Sequence, residues 1–72
     1  MLSPPRYRVE EHAPDLAALI VGFADTEPQA RALLDGHALA LTQAQVTAEL
    51  MIVEQDSETV VFRCPVWLPS ES

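Results

Sequence analysis

Two apolar runs separated by one polar turn constrain this chain more than any other feature. Val46, Ala48, Leu50 and Ile52 alternate with Thr47, Glu49, Met51 and Val53. Beyond Gln55-Asp56-Ser57-Glu58, Val60, Phe62, Cys64 and Val66 alternate with Val61, Arg63, Pro65 and Trp67. Side chains on a strand point alternately to opposite faces, so period two on both sides of a short turn predicts a β-hairpin. A competing helix over the first run, capped by Thr42-Gln43-Ala44-Gln45 and lined by Val46, Leu50 and Val53, is the weaker reading. The second run, rich in β-branched and aromatic residues, is the firmer strand. Pro65 lacks a ladder donor, which assigns that strand to an edge or breaks it there.

A helix is expected ahead of the hairpin. Thr26 caps it, Pro28 sits harmlessly in the first turn, and Gln29 is placed to reach back to the cap amide. Ala30-Arg31-Ala32-Leu33-Leu34-Asp35 follows, and Gly36 marks the expected stop at a left-handed position. His37 then falls at the negative helix end, a structural role.

Upstream, Leu16, Leu19, Ile20 and Phe23 stand at the spacing of an amphipathic helix, with Pro14 and Asp15 suited to its first turn. The same segment also reads as a buried strand over Leu19–Phe23, and the helix is the preferred expectation. Tyr7 and Val9 alternate with Arg6, Arg8 and Glu10 as a short strand. The expected fold is α+β: a short N-terminal strand, one or two helices, then a C-terminal β-hairpin, giving a small antiparallel sheet covered by helix on one face. One compact domain over 6–68 is expected, between a flexible start at 1–5 and a polar tail at 69–72.

Seventy-two residues bury only about 60% of the unfolded chain's surface, so extra support is anticipated. Cys64 is the only cysteine, which leaves a well-packed core or self-association, and a homodimer is the expected state. Nothing in the sequence implies a cofactor or a metal. A lone thiol without an apolar leader suits the cytoplasm. The longest apolar run, Leu16 to Ala24, is far below the ~20 residues of a membrane span. Absence of lysine with abundant alanine and arginine suits a GC-rich bacterial or phage gene.

Eleven acids face four arginines, and from Glu10 onward the balance is 2 − 11 = −9. Phosphate backbones repel such a chain, which argues against direct nucleic-acid binding. No residue pattern points to catalysis. Cys64 falls on the apolar face with Val60, Phe62 and Val66, where a thiol acts as a small hydrophobe. His12 beside Glu10, Glu11 and Asp15 reads as a solvated acidic patch rather than a metal site. Only two glycines, Gly22 and Gly36, are present, and no phosphate-cradling loop is formed from them.

The candidate binding residues are therefore on the surface. Glu49, Glu54, Asp56 and Glu58 are expected near the hairpin tip, where they either discourage edge aggregation or meet a basic partner. Trp67, bracketed by Pro65 and Pro69, either closes the sheet or anchors an interface. The expectation is a small acidic, non-enzymatic protein–protein interaction module. Its most specific form is an inhibitor from a phage or mobile element, of the anti-CRISPR or anti-defence type, directed at a host nucleic-acid-handling complex. The alternatives are an accessory subunit or fragment of a larger bacterial enzyme, or a small homodimer with a ligand between protomers.

Overall fold

The computed structural model describes residues 4–14 and 16–66. Trp67 and the polar tail lie outside the described residues. The element order is β1 (Tyr7–His12), β2 (Leu19–Ala24), α1 (Glu27–Gln43), β3 (Ala48–Glu54) and β4 (Thr59–Val66). The strands form one antiparallel sheet in the order β2-β1-β3-β4. Helix α1 lies across one face and touches all four strands. The α+β architecture anticipated from the sequence is the one observed.

Alternation decides which residues meet the helix. Tyr7 and Val9 of β1, Ala48, Leu50 and Ile52 of β3, and Val66 of β4 are buried with Ala30, Leu34 and Leu41 of α1. Leu34, Leu50, Ile52 and Val9 are the largest fully buried side chains. Each such burial contributes about 1.5–3 kcal/mol, so these four dominate the core. Phe62 and Cys64 pack against the same cluster at partial burial. Val60 departs from its expected place among them. A bulge sets Val60 opposite Val53 and Phe62 opposite Ile52. The extra residue, Val61, shifts the alternation, so Val60 pairs with a residue of the opposite face.

Two expectations about helices are corrected. The stripe Leu16-Leu19-Ile20-Phe23 is not helical, because Leu19–Ala24 forms β2. Ile20, Val21 and Gly22 are weak helix formers, and the strand packs Val21 and Ala24 against the core. A Cβ at Gly22 would meet Leu33 Cδ1 at 3.4 Å, so glycine lets α1 settle close to the sheet. Helix α1 also does not stop at Gly36. It continues to Gln43, carrying Gly36 and His37 in its interior. Leu34, Ala38 and Leu41 keep the core-facing spacing past the glycine, and burial of Leu41 outweighs the helix cost of Gly36, about 1 kcal/mol.

The helix ends on other chemistry. Val46 N–H donates to Leu41 O at 2.9 Å and Gln45 N–H donates to Thr42 O at 3.1 Å. Gln45 takes a left-handed φ of 59°. These are the two crossed bonds of a Schellman motif, with glutamine in the position glycine usually fills. At the start, Gln29 N–H donates to Thr26 Oγ1 at 3.3 Å, as the capping pattern predicts. The Gln29 side chain accepts from Asp25 N–H at 3.2 Å, one residue before the cap amide anticipated for it.

Candidate functional site

Register places charge on the face of the sheet that α1 leaves open. Arg8, Glu10 and His12 alternate with Tyr7, Val9 and Glu11 along β1, so the first three line up on the open face. Arg8 and Glu10 form an ion pair. Glu10 also meets His12 Nε2 at 2.8 Å, and Arg8 Nη2 donates to Glu58 across the sheet at 2.7 Å. The hydrogen bonds from Arg8, opposed in part by burial and reinforced by His12, hold the Glu10 carboxyl below its ordinary range. Hydrogen bonds to Glu58 and then Glu10 raise the Arg8 guanidinium, which is charged at any working pH.

The same register redistributes the acidic hairpin. Tyr7 stands opposite Glu54, so Arg6 and Arg8, nearly fifty positions away in sequence, flank the turn. Arg6 Nη2 lies 3.6 Å from Glu54, which also accepts from Ser57 Oγ at 3.0 Å. Glu58 is taken by Arg8. Asp56 remains exposed, with no ion-pair partner among the described residues. Glu49 is not at the tip: it stands opposite His12 and Pro65, at the far end of β3. The structure therefore brings together Glu54, Asp56 and Glu58, with two of the three neutralised. Trp67 lies outside the described residues.

His37 and Cys64 sit in separate structural contacts. His37 Nε2 lies 2.6 Å from Glu11 Oε1, tying α1 to β1. Cys64, partly buried, has the Pro65 carbonyl oxygen as its contact at 4.0 Å. Among the described residues no group of three or more His, Cys, Asp or Glu is disposed to hold a metal. None of the described helices is long and apolar enough to cross a membrane.

The surface that sequence reasoning missed is β2. Leu16, Leu19, Ile20 and Phe23 are exposed by 71%, 57%, 57% and 50%. They were expected to be the buried stripe of a helix. As a strand, the segment packs Val21, Gly22 and Ala24 toward the core and leaves Leu19, Ile20 and Phe23 outside. Beside it lies a solvent-open groove of about 400 Å³, lined by Phe23, Ala24, Gln29, Ala32 and Leu33. A second concavity, about 310 Å³, lies between His12, Ala13 and Pro14 on one side and Thr47, Ala48 and Glu49 on the other. The signal for the β2 surface was present in the sequence as nine consecutive residues, Leu16 to Ala24, without a polar side chain.

No protein-family model, curated protein or solved structure matches this chain.

Proposed function

We propose that the chain is a non-enzymatic protein–protein interaction module whose contact surface is centred on β2. The observation that carries this reading is the exposure of Leu19, Ile20 and Phe23 on an edge strand, with Leu16 exposed just ahead of it. Leu19 stands opposite Glu11 on the helix side of the sheet, whereas Ile20 and Phe23 stand opposite Glu10 and Arg8 on the open side. Both faces of this edge therefore present large apolar side chains to water, and exposed apolar surface of this kind marks binding sites.

Charge supplies the second half of the reading. The chain carries a net charge of −7, and Asp25, Asp35, Glu49 and Asp56 have no ion-pair partner among the described residues. Such a field favours encounter with a basic protein and opposes phosphate backbones. The exposed apolar side chains provide short-range affinity, while the chain's net negative charge raises the association rate.

The test uses the full chain as bait in a bacterial lysate, followed by measurement with the purified captured protein. Leu19→Glu combined with Phe23→Glu is expected to abolish binding while leaving the circular dichroism spectrum intact. Added salt is expected to slow association. A captured partner that binds this double variant as tightly as the parent chain rules out the β2 surface as the contact.

A further inference from the structure

Sheets have two edges, and this fold treats them differently. An edge strand presents unpaired backbone N–H and C=O groups, and folded proteins blunt such edges with proline, charge or bulges. The β4 edge carries all three: Pro65, Arg63 and the bulge at Val61. The β2 edge is bulged at Val21, but from Leu19 to Ala24 it has neither proline nor charge. Hydrophobic side chains flank it, and the groove between Phe23 and Leu33 opens directly alongside.

Charge around the edge is one-sided. Asp15 precedes β2 in sequence and Asp25 follows it, and Glu27 opens α1 immediately beyond. Asp25 is exposed and has no ion-pair partner among the described residues, whereas Glu27 lies 3.6 Å from Arg31. Arg8 stands opposite Phe23, and its guanidinium is already held by Glu10 and Glu58. A second copy of the chain is a poor occupant. It would bring another −7, so the two copies would repel one another.

We infer that β2 is an acceptor edge, to which an extended segment of a protein partner, apolar at its centre and basic where it meets Asp25, adds as a fifth strand. This rests on the reading of β2 as the contact surface and specifies how that surface is used. Backbone hydrogen bonds to β2 give the segment its direction and register. Alternate side chains on one face of the added strand reach the groove lined by Phe23 and Leu33. Lysine or arginine at the end of the segment beside Ala24 meets Asp25, which is exposed.

The probe is a synthetic peptide with an alternating valine and threonine centre and two lysines at each end, titrated into the full chain. Saturable binding is expected, with slowed amide hydrogen exchange confined to Leu19–Ala24. Methylation of alternate peptide nitrogens is expected to abolish binding, because strand addition needs those N–H groups. Glutamates in place of the terminal lysines should weaken binding by about tenfold or more, since attraction to Asp25 and to the chain's net negative charge becomes repulsion. Phe23→Lys, a surface change, should weaken it comparably while the thermal melt is retained.

Failure of the lysine-ended peptide to bind overturns the inference. So does exchange protection on β4, unchanged affinity of the methylated peptide, or equal affinity of the glutamate-ended one. A peptide-free chain that dimerises with protected β2 amides assigns the edge to a second copy instead. If the peptide fails while a captured partner still loses binding to the Leu19→Glu, Phe23→Glu variant, only strand addition is refuted. If the captured partner also ignores that variant, the contact surface itself is refuted.

Discussion

His37 Nε2 on α1 sits 2.6 Å from Glu11 Oε1 on β1, the one side-chain hydrogen bond among those described that joins helix to sheet. Glu11 shares the helix-facing side of β1 with Tyr7 and Val9, so its carboxylate is largely withdrawn from water. Removing one partner leaves the other without its contact, at a cost of about 1–2 kcal/mol. Glu11→Ala and His37→Ala are each expected to lower stability in urea titrations, and the double variant should cost less than the sum. Additive losses would show that the pair contributes no coupling.

Acid sensitivity follows from Glu10. Its carboxyl lies below the ordinary value of 4.5, chiefly through the hydrogen bonds from Arg8. A depressed carboxyl binds fewer protons folded than unfolded, so its stabilisation is complete above about pH 4.5 and is lost as pH falls through the folded value. Glu10→Gln is expected to lower stability at neutral pH and to flatten the decline below pH 4.5. Parallel stability–pH curves for the two proteins would refute this assignment.

Gly36 occupies a helix interior with open space where its Cβ would be. Neither contact nor positive φ requires glycine there. Gly36→Ala is expected to stabilise the protein by about 0.5–1 kcal/mol through helix propensity and reduced unfolded-state entropy. A lower melting temperature would mean that the glycine is needed for a reason other than helix geometry.

The two ends of α1 respond in opposite directions. Thr26 accepts from Gln29 N–H, and Thr26→Ala should cost about 1 kcal/mol. Gln45, held at a φ of 59°, pays the left-handed penalty that glycine avoids. Gln45→Gly should raise stability by several tenths of a kcal/mol, up to about 1. Equilibrium unfolding of both variants beside the parent checks each sign, and destabilisation by Gln45→Gly would contradict the Schellman geometry.

Local signals carried a large part of this fold. The alternation at Tyr7 and Val9, the Thr26 cap and the hairpin around Gln55–Glu58 were legible because each depends on neighbours within a few residues. The acidic candidates were legible as residues but not as a site. Only the pairing of β1 with β3 brings Arg6 and Arg8 onto Glu54 and Glu58, and no local pattern encodes that register.

By itself the sequence determined an antiparallel hairpin, a capped helix beginning at Glu27, and a strongly acidic chain. Tertiary structure decided whether Leu16, Leu19, Ile20 and Phe23 would be core or surface. Their spacing suits a helix, but a strand sets Gly22 against Leu33 of α1 and buries Ala24 in the core. Tertiary structure likewise carried α1 through Gly36, because burying Leu41 against the sheet outweighs one glycine. In both places the competing local preferences differ by about 1 kcal/mol or less per residue, while burial of a single large side chain is worth about twice that. Packing therefore settled what propensity left close to balance.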